Sequence, residues 1–178
     1  MNIHKKTLLY PTPIYDVQLD LDNEKLIKII AEHRLKYPQG EVSNVHAWRS
    51  SYKTHEINNN FDPFISQILD AIDKVREFDT RNFSNLSKVI YDVQDFWALM
   101  YGDGDHTIDH THFPYTWALT YYAYVEENSS PVQFRTLKIK PRSGMLLLWP
   151  GSLFHSVPHT KGKRIAVAAN LMVKNFGK

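Results

Sequence analysis

The chain reads Tyr101-Gly-Asp-Gly-Asp-His-Thr-Ile-Asp-His110-Thr-His112 near the start of a strand-rich region, and Arg164-Ile-Ala-Val-Ala-Ala-Asn170 near its end. Between them lies Gly144-Met-Leu-Leu-Leu-Trp-Pro-Gly-Ser-Leu-Phe-His155, an apolar run that leads into a turn and a histidine. Apolar residues at every second position are typical of strands whose two faces differ. The region therefore predicts an antiparallel β structure carrying two close histidines, a third histidine and an arginine.

The strand pattern extends over the second half of the chain. Alternation starts at Val89 and runs through a pair of strands, or one long bent strand, as far as Tyr101. Clusters of glycine, proline and polar residues separate the later runs and indicate turns. The later predicted strands are Trp117–Val125, Val132–Ile139, Met145–Trp149 and Ile165–Val173, with turns at Glu126–Pro131 and Lys140–Gly144.

Helices are predicted mainly in the first half. Leu8–Leu19 contains two prolines and is predicted as an edge strand, because proline cannot donate to a strand ladder. Asp22 can cap a helix that ends at Pro38, and Asp62-Pro63 begins a second helix with a continuous apolar stripe. Two helices followed by many short strands predict an α+β, mainly β chain whose second part is a sandwich or barrel.

Composition sets limits on function. The 178 residues suit a single domain, and 21 Lys and Arg against 19 Asp and Glu give a net charge of +2, without the basic excess of a dedicated nucleic-acid binder. The absence of cysteine excludes disulfides and thiolate metal sites. We expect a cytoplasmic location, because neither a signal peptide nor a membrane span is recognisable. No sequence feature indicates an oligomeric state.

Three histidines are candidate metal ligands. His110 and His112 are two residues apart, so on an extended segment both side chains leave the same face and can bind one ion. His155 is predicted to lie at the end of a different strand. Imidazole suits iron, zinc, copper and nickel alike, and three ligands on one side leave room for a bidentate cosubstrate and dioxygen. A His-x-His pair alone is common by chance, and the other six histidines are expected to be surface or core residues.

Arg164 is the candidate anchor for such a cosubstrate. It shares a predicted strand face with Ala166, Ala168 and Asn170, so the guanidinium has space in front of it. Its planar donors bind a carboxylate in bidentate fashion, and a dicarboxylate held on the metal at one end can reach them with the other. Tyr101 and Tyr122, on flanking strands, can add hydroxyl donors to that carboxylate.

Short motifs lie along nearly the whole chain. They are Leu9-Tyr10-Pro11-Thr12-Pro13, Ser43-Asn44 with Trp48-Arg49-Ser50, His110-Thr-His112-Phe-Pro114, Tyr121-Tyr122, and the block of Gly144–Pro150, His155 and Arg164–Asn170. These motifs are similar to those of the 2-oxoglutarate- and iron(II)-dependent oxygenases, and within that superfamily to a family found widely in marine bacteria and phages. The last block is the most specific of them.

The resemblance implies a double-stranded β-helix, or jelly roll, with an N-terminal helical layer. It implies one oxygenase domain over 1–178, with the strand and helices in 1–85 and the jelly-roll core in 86–178. The implied cofactors are Fe(II), with His110 as the first and His155 as the distal ligand, and 2-oxoglutarate, with Arg164 binding its C5 carboxylate. The implied activity is hydroxylation of a substrate by dioxygen.

Two positions depart from the pattern of the superfamily. Most members have an aspartate or glutamate at the place of His112, so the ligand set here is expected to be three histidines, which leaves the iron more positive. Many relatives also carry a serine that contacts the cosubstrate at the place of Ala166. The absence of this serine weakens the 2-oxoglutarate assignment a little and leaves its charge partner, Arg164, in place.

Two other functions fit the same pattern. One is a three-histidine dioxygenase of the cupin type, which binds its substrate directly on iron and needs no 2-oxoglutarate. The other is a jelly-roll binding module without metal. The substrate class stays open between an amino-acid or peptide side chain, a nucleobase and a small metabolite, with an aromatic and basic rim predicted from Trp48, Arg49, Tyr52, Phe113 and Trp117.

Overall fold

A computed structural model of the chain describes residues 2–9, 12–79 and 90–174. Two antiparallel sheets and a layer of helices make up this part. The strands are β1 (Asn2–Leu9), β2 (Thr12–Gln18), β3 (Val45–His46), β4 (Trp48–Arg49), β5 (Tyr91–Tyr101), β6 (His106–His110), β7 (Trp117–Val125), β8 (Val132–Phe134), β9 (Leu137–Ile139), β10 (Met145–Pro150), β11 (His155–Val157) and β12 (Arg164–Val173), and the helices are α1 (Asn23–Lys36), α2 (Thr54–Ile57) and α3 (Asp62–Phe78), with a 3₁₀ turn at Asn59–Phe61.

The larger sheet has seven strands in the order β1-β2-β10-β7-β12-β5-β4, and the smaller has five in the order β3-β6-β11-β8-β9. An apolar cluster fills the space between them. In this cluster, Trp97 and Tyr122 of the larger sheet pack with Phe134 and Val157 of the smaller one. The two sheets therefore form a sandwich, in agreement with the predicted α+β, mainly β class.

Alternation along β12 assigns its two faces to different cores. Ala166 and Ala168 belong to the cluster between the sheets, whereas Val167 and Ala169 belong to a second cluster that includes the buried residues of α1 and α3. Strand side chains point alternately to opposite faces. As the sequence predicted, Ala166 and Ala168 share one face of the strand, and the helices cover the other.

The two long helices begin where the sequence predicts them. The side chain of Asp22 accepts a hydrogen bond from the Lys25 amide and caps α1. Pro63 occupies the first turn of α3. Backbone N–H groups in this turn have no acceptor within the helix, so the missing N–H of proline costs no hydrogen bond. Among the described helices, none has the length and apolar character needed to cross a bilayer.

The predicted edge strand is wrong in position. Leu8–Leu19 contains the end of β1 and all of β2, and β2 lies between β1 and β10, so β1 forms the edge. Pro13 is tolerated because it lies outside the part of β2, Tyr15 to Gln18, that pairs with β10. The proline before it, Pro11, lies outside the described residues, as does Val89, where the alternation was predicted to start.

Candidate metal centre

The fold brings the three predicted histidines together. His110 ends β6 and His155 begins β11, and the two residues lie opposite each other where these strands pair. His112 follows two residues after the end of β6. One ligand nitrogen from each ring lies within 4.8 Å of the others, and Nε2 of His112 is 3.3 Å from Nε2 of His155. The three imidazoles are therefore close enough to bind one ion.

Two of the rings are oriented by carbonyl groups of their own chain segment. Nδ1 of His110 lies 2.9 Å from the Ile108 carbonyl oxygen, and Nδ1 of His155 lies 3.3 Å from that of Leu153. A carbonyl oxygen can only accept, so in each ring Nδ1 carries the proton. The Nε2 lone pair is then left for a metal.

All three histidines are held in the neutral form. Burial lowers the pKa of His112 to about 3, and the neighbouring His110 adds to the shift. Burial and the two other rings lower the pKa of His155 well below its usual value, and burial also lowers the pKa of His110. Neutral imidazole is the form that binds metal, so protons do not compete for these nitrogens near pH 7.

This arrangement makes the metal-free protein sensitive to acid. The pKa of His112 is lower in the folded chain than the value of about 6.5 in an unfolded chain, so below pH 6.5 the unfolded state binds more protons and stability falls with pH. We expect the loss of Tm between pH 7 and pH 5 to be smaller in His112→Asn by roughly 4–8 °C. Thermal unfolding in the presence of a chelator measures this, and an equal loss in both proteins would contradict it.

Arg164 is buried with part of its hydrogen-bonding capacity unused. Its side chain is 2% exposed, Nη1 donates to the Ser130 carbonyl at 3.2 Å, and the guanidinium carbon lies 4.1 Å from the centre of the Tyr101 ring. Nη2 is buried and finds no acceptor among the described residues. A buried cation of this kind needs an anion.

One cavity connects Arg164 with the histidines. Its volume is about 50 Å³, and Ala166 and Ala168 also line it. Trp97 and Trp149 also line it, and their indole N–H groups lack an acceptor within the described part of the chain. Arginine and the two indoles all carry donors, so the cavity suits a ligand rich in acceptor oxygens.

The two tyrosines predicted to join Arg164 both lie beside it. The Tyr101 hydroxyl is 2.5 Å from Oγ1 of Thr107, so its observed contact with Arg164 is made by the ring. Tyr122 is buried and lines the cavity. Burial raises the pKa of Tyr122 to about 12, against the opposing charge of Arg164, so its phenol keeps its proton. Hydroxyl donation to a carboxylate stays a prediction for both.

The predicted aromatic rim is only partly correct. Trp48 and Trp117 belong to the core on the helix side of the larger sheet, because alternation turns both away from the cavity. Arg49 is buried and stacks on Tyr52 at 3.8 Å. Phe113 alone of the five is strongly exposed, at 78%. Trp97 and Trp149 were missed as cavity residues, although Trp97 shares the two-residue period of Tyr101.

The described fold is similar to that of several solved prolyl hydroxylases. A collagen prolyl hydroxylase of Paramecium bursaria Chlorella virus-1, solved as a 2OG complex, aligns with a TM-score of 0.62 at 18% identity, over 89% of this chain and 94% of its own. A prolyl-4-hydroxylase of Pseudomonas putida aligns with a TM-score of 0.58 at 14% identity, over 90% and 92%. A Trichoplax adhaerens prolyl hydroxylase, solved with a peptide fragment of hypoxia inducible factor, aligns with a TM-score of 0.63 at 14% identity, over 89% and 83%.

These likenesses confirm the predicted double-stranded β-helix, since each covers most of both chains. At such identities they show the fold and leave the chemistry to the residues of the site. No protein-family model matches the sequence, and no curated protein matches it.

Proposed function

We propose that the chain is an Fe(II)- and 2-oxoglutarate-dependent dioxygenase that hydroxylates its substrate. His110, His112 and His155 would hold the iron, and Arg164 would bind the C5 carboxylate of 2-oxoglutarate. The observation that carries the proposal is the buried Nη2 of Arg164, which has no acceptor among the described residues and belongs to the same cavity as three convergent imidazoles.

The residues present fit both groups. Three neutral imidazoles suit Fe(II), and the donor-rich end of the cavity suits a carboxylate. The small side chains of Ala166 and Ala168 leave room between the two ends for the carbon chain of a dicarboxylate. The positive charge of Arg164 would offset the carboxylate that is farther from the metal.

The bound iron would supply activation of dioxygen. The balanced reaction is substrate–H plus 2-oxoglutarate plus dioxygen giving substrate–OH, succinate and carbon dioxide. The protein's part is to hold the 2-oxo acid in one orientation, to keep the three imidazoles unprotonated, and to keep bulk water out through buried Trp149 and Tyr122.

The substrate is proposed to be an amino-acid or peptide side chain, or a small metabolite with an apolar part. Phe113 follows His112 directly in sequence, and Phe154 precedes His155, with exposures of 78% and 44%. Two exposed phenylalanines that are next to ligand residues in sequence would offer an apolar contact to such a substrate. The solved neighbours that act on prolyl groups, one of them bound to a peptide, support this class.

Anaerobic titration tests the proposal. We expect the Fe(II)-loaded protein to develop the weak visible charge-transfer band of a chelated 2-oxo acid when 2-oxoglutarate is added. A 2-oxo acid without the second carboxylate, such as 2-oxobutyrate, should bind roughly 100-fold more weakly, because it leaves Arg164 unpaired.

The other outcomes separate the rival functions. Bound iron without the band would contradict the proposal and support a three-histidine dioxygenase, in which the substrate binds the iron directly. A protein that binds no iron would contradict both enzymes and support a binding module. Equal affinity for 2-oxoglutarate and 2-oxobutyrate would show that Arg164 does not bind the second carboxylate.

A further inference from the structure

The third histidine of the cluster is oriented differently from the other two. His110 and His155 each have Nδ1 against a main-chain carbonyl of a residue two positions earlier. His112 has the side chain of Asn170 as its hydrogen-bond partner instead. Because Nε2 of His112 points to Nε2 of His155, Nδ1 is the nitrogen left for Asn170.

Asn170 is itself fixed by a buried carboxylate. It lies opposite Asp95 where β12 pairs with β5, and its Nδ2 donates to Oδ2 of Asp95 at 2.9 Å. Asp95 is only 9% exposed, and its Oδ1 lies 3.5 Å from Nζ of Lys53. Rotation of the amide by half a turn would put two oxygens face to face. Asp95 therefore determines which way Asn170 points.

The amide oxygen of Asn170 still has bonding capacity to spare. Oδ1 is buried and lacks a hydrogen bond of full geometry within the described residues, although it interacts with the His112 ring. A buried acceptor without a donor is costly, by about 1–3 kcal/mol. The Nδ1–H of His112 is the donor at hand.

We propose that Asn170 and Asp95 are positioning residues for the metal, acting through His112. Asn170 accepts the Nδ1–H of His112 and so keeps Nε2 free as the third ligand. Asp95 orients Asn170. It also places a negative charge behind His112, and the three neutral histidines themselves carry no such charge. The proposal rests on the metal centre proposed above and assigns it two residues outside the ligand set.

The charge argument follows from the composition of the site. Three imidazoles leave the full double charge of a divalent ion uncompensated by its ligands. The Asp95 carboxylate is close enough for its charge to act on His112. Carboxylates and amides behind a histidine ligand make it a stronger base and hold its ring. Here the carboxylate acts through one intervening amide.

A purely structural role is the competing explanation. Asn170 stands at an irregularity in the pairing of β12 with β5, next to Leu171, and its bond to Asp95 could serve only to tie the strands. Such a role would change the stability of the fold. If Asn170 had only this role, its replacement would affect metal affinity equally with and without His112.

A double-mutant cycle on metal affinity distinguishes the two roles. Co(II), which is stable in air and visible by its absorption, would be titrated into the wild-type protein, Asn170→Ala, His112→Ala and the double variant. We expect Asn170→Ala to weaken Co(II) binding about 10–100-fold, and to have no further effect when His112 is already alanine. Asp95→Asn, which keeps the shape but removes the charge, should weaken binding in the same direction.

Asn23→Ala is the matched control. Asn23 accepts a hydrogen bond from the Tyr121 hydroxyl on the helix side of the same sheet, so its loss disturbs the fold without touching the cavity and should leave Co(II) affinity unchanged. Unchanged affinity in Asn170→Ala, or the same loss with and without His112, would overturn the positioning role. A wild-type protein that binds no Co(II) would instead overturn the metal centre itself.

Discussion

Replacement of Arg164 with alanine is expected to weaken 2-oxoglutarate binding roughly 100-fold, because a carboxylate would then be buried without its cation. Iron binding should persist, since Arg164 contacts Ser130 and Tyr101 in the structure rather than the histidines. The measurement is the anaerobic titration of the charge-transfer band in the Fe(II)-loaded variant. Retained 2-oxoglutarate affinity in a folded, iron-loaded variant would contradict the assignment.

Arg142→Ala controls for the loss of an arginine. Arg142 pairs with Asp16 at 2.6 Å and 2.8 Å on another part of the larger sheet, so its removal should leave 2-oxoglutarate affinity unchanged. The free protein gives a second check on Arg164. A buried cation with little compensation does not stabilise a fold, so Arg164→Met should unfold at a Tm no lower than that of the wild type in the absence of 2-oxoglutarate.

Replacement of His155 with alanine is expected to abolish useful iron binding. It removes a ligand directly, so the loss in affinity should exceed the 10–100-fold that follows from loss of a residue behind a ligand, and we expect more than about 100-fold. His155 is buried and its Nε2 faces that of His112. An exposed side chain therefore cannot take its place as a ligand. Competition with a chromophoric chelator measures the affinity.

His159→Ala is the matched control for this variant. His159 is exposed and lies against His106, with the two ring centroids 4.1 Å apart, away from the three candidate ligands. Its removal should leave iron affinity unchanged. If His155→Ala bound iron as tightly as His159→Ala and the wild type, the three histidines would not form the metal site, and the oxygenase proposal would fail with them.

Sequence patterns predicted much of the fold because the relevant signals are local. The proline after Asp62 and the apolar stripe that follows suffice to begin α3. Period-two alternation places Ala166 and Ala168 on the face that turns out to line the cavity. The same alternation places Trp97 on the face of Tyr101. Alternation alone does not say whether a tryptophan lines a cavity or fills a core.

The proximity of the site residues was predicted from their order and from the resemblance to known oxygenases, rather than from local pattern. His110 and His155 are far apart in sequence, and they become neighbours because β11 pairs with β6 in one register. A shift of that register by one residue would turn His155 to the other face. The register is set by packing of whole sheets against each other.

By itself, the sequence determined the strand and helix periods, the face on which Arg164 lies, and the three histidines available to bind a metal. The tertiary structure alone decided that Trp48 and Trp117 pack under the helices, and that Asn170 bonds to the buried Asp95 carboxylate. The physical reason is that side-chain periodicity is a property of each strand. Which strands become neighbours depends instead on how much apolar surface the complete arrangement buries.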